Sequence, residues 1–127
     1  MELSTEFFNY TNIEAYEIRE TIAHNCLEDL INFVNTEENK VAIFDGTNTN
    51  KKRRKHIAET LKNSLNCKYQ LIWIESICNN EDIINENINK VKVHGQDYKD
   101  KTMEEAFQDF KERVKHYEKV YETLTID

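Results

Sequence analysis

An α/β fold, a parallel sheet with flanking helices, is what the sequence predicts, on three observations. Helix, strand, helix and strand patterns alternate through Ser76, the order that produces parallel strands with right-handed crossovers. The run "YQLIWIES", Tyr69 to Ser76, is apolar on both faces at its centre, as a strand covered by helices on each side must be. The run "VAIF", Val41 to Phe44, ends on Asp45, and parallel sheets build their ligand sites at the carboxyl edge where such an acid would stand.

The elements follow in order. Thr11 with Glu14 reads as a capping box, and Tyr16, Ile22, Ala23, Cys26, Leu27, Leu30, Ile31 and Val34 recur at three- and four-residue steps, predicting an amphipathic helix from about Asn12 to Val34. The polar turn "NTEENK" leads into Val41–Phe44 as a short buried strand. Ile57, Ala58, Leu61 and Leu65 mark a second helix beginning near Asn50, and Tyr69–Ser76 is the second strand. Asn80 to Lys90 reads as a short helix carrying Ile83, Ile84 and Ile88. Thr102 with Glu105 caps a long last helix bearing Phe107, Phe110, Val114, Tyr117, Tyr121 and Leu124. Two strands cannot cover so many helical faces, so a further strand from elsewhere, or a thin core, is expected.

Composition narrows the function classes. A chain of 127 residues fits one domain, 1–127, and 39% hydrophobic with 32% charged residues reads as globular. No apolar stretch approaches the roughly 20 residues that span a bilayer, so no membrane is expected. A net charge of -7 disfavours nucleic acid as a partner. No secretory signal is visible after Met1, so the expected location is cytoplasmic. Cys26, Cys67 and Cys78 are odd in number and widely spaced, which predicts reduced thiols rather than disulfides or a Cys-rich zinc site. His24, His56, His94 and His116 have no metal-ligand spacing. There is no proline, and the two glycines, Gly46 and Gly95, cannot form a GxxxxGK or GxGxxG loop within these residues.

The stretch "VAIFDGTNTNKKRRK" concentrates the candidate chemistry. Asp45 can hold Mg²⁺ directly or through water, or it can order the "GTNTN" turn or cap the next helix. Thr47, Asn48 and Thr49 offer hydroxyls, amides and backbone N–H groups beside a helix start, suited to a phosphate or sugar and equally to capping. With Ile57 and Leu61 facing the core, Arg53 and Arg54 flank the buried face while Lys51, Lys52 and Lys55 turn outward. Arg53 then points toward the turn after Asp45, where its fork suits a phosphate. In the last helix, Arg113 and Tyr117 lie beside the apolar stripe of Phe110 and Val114, and the cation requires an internal carboxylate or an anionic substrate. Cys78 follows the second strand, where an inert buried thiol is the common role.

Taken together, "EFFNYTNIEAYEIRE", "VAIFDGTNTNKKRR", "LIWIESICNNEDIINENINKVKV", "DYKDK" and "DFKERVKHYEKVYETL" resemble the kinase domain of the 6-phosphofructo-2-kinase/fructose-2,6-bisphosphatase family, from about Phe7 to Leu124. The resemblance implies a P-loop nucleotide-kinase-like parallel sheet with flanking helices, of which the amino-terminal strand and P-loop are missing here, so that 1–127 is a partial kinase domain. It implies ATP and Mg²⁺, fructose 6-phosphate as the acceptor, and fructose 2,6-bisphosphate as the product. Without that loop the isolated chain is expected to be inactive; the alternative reading is a non-catalytic α/β module binding a sugar phosphate or a partner chain. By the same resemblance Asp45 and Cys78 are catalytic-site residues, with Asp45 near the metal. Thr47, Arg53, Lys92, Arg113 and Tyr117 are fructose 6-phosphate ligands, and Asn87, Ile88, Asn89, Lys90, Val91 and Lys92 form a nucleotide-contacting stretch. A homodimer, or pairing with the missing amino-terminal segment, is the expected assembly.

Overall fold

The computed structural model describes residues 5–9, 11–36, 40–92, 94–95 and 98–125, with the side chains of Thr5, Glu6 and Lys92 outside that description. Part of the expected turn at 35–40, and Asp97 of "DYKDK", also lie outside it. Its helices are α1 (Thr5–Phe8), α2 (Ile13–Thr36), α3 (Lys51–Ser64), α4 (Glu81–Asn87), continued by a π-helical turn Ile88–Lys92, and α5 (Met103–Glu118). None is long and apolar enough to cross a membrane.

Each start has a local cause. Asn12, not Thr11, caps α2: its side chain accepts from the Ala15 N–H at 3.0 Å, while the Thr11 hydroxyl turns back to Asn9. Asn50 caps α3 by accepting the Arg53 N–H at 2.8 Å. Asn80 caps α4 through the N–H groups of Asp82 and Ile83, and the acids at Glu81 and Asp82 complement that helix end. Thr102 and Glu105 form the expected capping box of α5.

The chain divides into two compact units. One comprises residues 17–75 and 121–127; its core is Leu27 and Ile31 of α2 against Ile57 and Leu61 of α3, with Leu30, Phe44, Leu65 and Trp73 packed onto it. The other comprises 1–16 and 76–120, with Ile88, Tyr98 and Ala106 at its centre and Ile84, Phe107 and Phe110 around them.

Two further expectations, besides the Thr11 cap, meet a different outcome. The last helix stops at Glu118 instead of running through Tyr121 and Leu124, because the following residues bond elsewhere: the Glu122 N–H donates to the Thr49 carbonyl at 2.8 Å. The apolar runs Val41–Phe44 and Tyr69–Ser76 form no strand ladder among the described residues. Phe44 and Trp73 pack inward, but Val41 and Ile43 are each 86% exposed and Ile74 is 89% exposed.

Candidate functional site

In the unit of residues 17–75, the segment Asp45–Asn50 runs into the start of α3. Asp45 and Thr47 are exposed, and Asn50 rather than Asp45 caps the helix, which removes the capping role from the acid. Asn48 has a φ of 39°, a left-handed conformation that asparagine tolerates better than most residues, and its side-chain amide donates to the Gly46 carbonyl at 3.3 Å. This turn is fastened by the two arginines that follow. Arg54, 9% exposed, donates from Nη1 to the Asn48 carbonyl at 2.9 Å and from Nη2 to the Thr123 carbonyl at 3.4 Å. Arg53 reaches the Asn48 Oδ1 with its Nε at 3.4 Å, as its position before Ile57 predicts, and its Nη1 donates to Glu20 Oε1 of α2. Lys51, Lys52 and Lys55 face outward, as expected.

A groove of about 330 Å³ opens beside this junction, floored by Leu27, Phe44 and Ile57 and rimmed by Glu20, His24, Arg53 and His56. That volume is at the lower end of small-molecule sites.

The tail Tyr121–Thr125 closes the far side of the turn. The Lys51 N–H donates to Glu122 Oε2 at 2.7 Å. Glu75 accepts from the Tyr121 hydroxyl, from Thr123 Oγ1 at 2.8 Å, and from the Leu124 N–H at 3.3 Å. The Tyr121 bond, then that of Thr123, holds the Glu75 carboxyl below its ordinary range, and the same contact raises the Tyr121 phenol.

The unit of residues 1–16 and 76–120 holds the other candidates. Cys78 is exposed, not buried, with Sγ 3.8 Å from the Asn80 carbonyl, a consequence of its place in irregular chain before the α4 cap. The stretch Asn87–Lys92 covers the end of α4 and the π-helical turn. Ile88 is buried in the local core, whereas Asn87, Asn89, Lys90 and Val91 are exposed and Lys90 pairs with Glu86. For Lys92 the backbone alone is described.

Arg113 is 6% exposed, and its partner is an internal carboxylate: Nε donates to Asp109 Oδ2 at 2.8 Å. Its guanidinium lies 4.2 Å from the Phe8 ring centroid and 4.9 Å from that of Tyr98. Asp109 also accepts from the Tyr98 hydroxyl at 3.1 Å and from Lys101 Nζ at 3.0 Å. Tyr117 is half-buried, its ring 6.3 Å from Phe8.

Sequence reasoning missed Glu20, Glu75 and Asp109. Glu20 had a signal, since it stands seven residues before Leu27 on the stripe that otherwise faces the core. Asp109 lies four residues before Arg113, the spacing of a helical ion pair. Glu75 had none, because its partners lie 46 to 49 residues away.

A metal of the kind the resemblance implies would find a sparse donor set. Among the described residues no three His, Cys, Asp or Glu side chains gather at one point. The Asp45 carboxylate is exposed, and a single carboxylate fits Mg²⁺, which commonly takes one or two carboxylates and keeps waters and substrate phosphates as its other ligands.

Comparison with known proteins places the chain. The family model for 6-phosphofructo-2-kinase matches residues 1–127. A 6-phosphofructo-2-kinase/fructose-2,6-bisphosphatase of Gallus gallus is 41% identical over 94% of the chain and 25% of the relative, and 6-phosphofructo-2-kinase/fructose-2,6-bisphosphatase 1 of Homo sapiens is 42% identical over the same shares. A probable 6-phosphofructo-2-kinase of Schizosaccharomyces pombe is 42% identical over 93% of the chain and 17% of that protein. The chain thus spans about a quarter or less of the length of these relatives. It belongs to the 6-phosphofructo-2-kinase family.

Proposed function

We propose that this chain supplies part of the catalytic domain of a 6-phosphofructo-2-kinase, which transfers the γ-phosphoryl group of ATP to fructose 6-phosphate and yields fructose 2,6-bisphosphate and ADP. The observation that carries this reading is the family match along the entire chain, with Asp45, Thr47 and Arg53 gathered at one turn-to-helix junction. Bound Mg²⁺ would neutralise charge developing on the transferred group. Asp45 would hold that ion, directly or through water. Thr47, by its hydroxyl, and Arg53, by its guanidinium, would fix the sugar phosphate, and positioning of this kind supplies most of the catalysis in phosphoryl transfer.

Lys92, Arg113 and Tyr117 are assigned to the same acceptor, Asn87–Lys92 to the nucleotide, and Cys78 to the catalytic site. The π-helical turn supports the nucleotide assignment, because such irregular turns recur at functional sites. Arg113 enters this role only by sharing or leaving Asp109.

The two exposed apolar runs support a parallel sheet completed by a strand not present within these residues. Unpaired backbone beside Val41, Ile43, Ile72 and Ile74 is the template such a strand would use. Exposed, unpaired cysteines suit a reducing compartment, and the reading places the protein in the cytoplasm. The test is ATP-dependent formation of fructose 2,6-bisphosphate by the intact protein, compared with Asp45→Asn. A loss of two orders of magnitude or more in turnover, with fructose 6-phosphate still bound, is expected. Unchanged turnover in Asp45→Asn refutes the assignment.

A further inference from the structure

Arg53 is already engaged by an anion of the protein's own. Its Nη1 donates to Glu20 Oε1, and the arginine side chain is 24% and the glutamate 41% exposed, so solvent and ligands reach both. The pair is not an accident of two long surface side chains. Glu20, His24, Leu27 and Ile31 follow one another at four-, three- and four-residue steps along α2, so the register that buries Leu27 and Ile31 against α3 also aims Glu20 at the first turn of α3. Arg54, the neighbouring cation, is buried and committed to the carbonyls of Asn48 and Thr123. Arg54 holds the turn at the Asn48 carbonyl, so Arg53 can exchange the partner of its Nη1 while its Nε stays on Asn48 Oδ1.

We infer that Glu20 is a resident anion on Arg53 that a sugar phosphate displaces, and that this exchange sets the affinity of the site for its acceptor. The inference rests on the reading of Arg53 as a phosphate contact. The recorded contact uses one guanidinium nitrogen and one carboxylate oxygen, whereas a phosphate can take two nitrogens at once, so the exchange favours the ligand. Glu20 acts through Arg53 and is a positioning residue: its charge holds the guanidinium over the groove beside Asn48 while no ligand is bound, and competes with the ligand when one arrives.

Titration of the intact protein at fixed ionic strength tests this. Glu20→Gln is expected to tighten fructose 6-phosphate binding about fivefold, which is a pair worth about 1 kcal/mol at tenfold per 1.4 kcal/mol. The affinity for ATP stays as it was. Glu17→Gln, which removes the same charge from an exposed position on α2, changes neither affinity, and Glu20→Gln adds nothing in an Arg53→Ala background. If Arg53→Ala weakens fructose 6-phosphate binding but Glu20→Gln leaves it unchanged or weaker, the exchange is refuted and the substrate reading stands. If Arg53→Ala has no effect, both fall. Equal gains from Glu17→Gln and Glu20→Gln mean a general field and refute the exchange as well.

Discussion

Replacing Arg54 by alanine should release the Asp45–Asn50 turn without unfolding the helices beneath it. The guanidinium makes one well-formed charge-assisted bond, to the Asn48 carbonyl at 2.9 Å, and one long bond, to the Thr123 carbonyl at 3.4 Å. A bond of this kind is worth about 1.5 to 3 kcal/mol, and the second adds a fraction of that, so the local cost is about 2 to 3 kcal/mol. The Glu122 N–H, bonded to Thr49, reports the loss directly. At tenfold per 1.4 kcal/mol its hydrogen-exchange protection should fall roughly 30- to 150-fold. Peptides covering Leu27–Ile31 and Ile57–Leu61 should exchange as before, since their packing does not involve Arg54. Lys52→Ala, on the exposed side of the same helix, should change protection by less than about threefold, its cost being under about 0.5 kcal/mol. Unchanged protection at Glu122, or equal loss across α2 and α3, would refute a turn clasped by Arg54.

Three further outcomes are expected. Glu75 has a lowered folded pKa, so the stability it lends the tail is full above the ordinary carboxylate value near 4.5 and fades as pH falls through the depressed folded value. The raised phenol of Tyr121 gives the mirror result, with stability full below about 10 and lost as pH rises through the higher folded value. Protection of the Leu124 N–H, taken relative to free-peptide exchange at each pH, should therefore show a plateau bounded on both sides, and Tyr121→Phe should remove the alkaline edge. Arg113→Ala removes one of the two cations on Asp109, with Lys101 and Tyr98 remaining, and should cost about 1.5 to 3 kcal/mol, read as a lower urea midpoint; Arg113→Lys should recover part of it. Residues 1–127 alone should show no ATP-dependent phosphorylation of fructose 6-phosphate, because no GxxxxGK loop lies within them; turnover above a protein-free control that Asp45→Ala abolishes would overturn this.

What could be read from the sequence was what neighbours along the chain decide. The Thr102 and Glu105 box, the start of α3 near Asn50, and the inward Arg53 and Arg54 with outward lysines all follow from spacing within one or two turns of helix. The extent of α5 did not follow. Val114, Tyr117, Tyr121 and Leu124 keep helical spacing, yet bonds from the Glu122 N–H to Thr49, from the Lys51 N–H to the Glu122 carboxylate, and from Thr123 to Glu75 outweigh the remaining turn. At α2 the hydroxyl of Thr11 prefers Asn9, a local competition that the capping pattern alone does not resolve. Val41–Phe44 and Tyr69–Ser76 form no strand ladder among the described residues, since an apolar run supplies strand propensity but not a partner to pair with. Of the candidate site, the turn and Arg53 were legible, whereas the acids that engage the arginines, Glu20 and Asp109, were passed over because their helical positions look like ordinary solvated charge.

The clasp on the Asp45–Asn50 turn also has a consequence for biosynthesis. Its fasteners are joined across 71, 69 and 48 residues of chain, whereas α2 and α3 each close on local bonds. On the ribosome, α2 and α3 can therefore form and pack while translation continues. The turn between them stays open until Tyr121 to Leu124 have emerged. A nascent chain in which α3 has emerged and Glu122 has not would present a folded helical pair with an unsecured turn, and a protease or chaperone that samples exposed loops would meet it in that interval. Codon choice and translation speed beyond α3 should accordingly influence how much of the newly made protein reaches a fastened site.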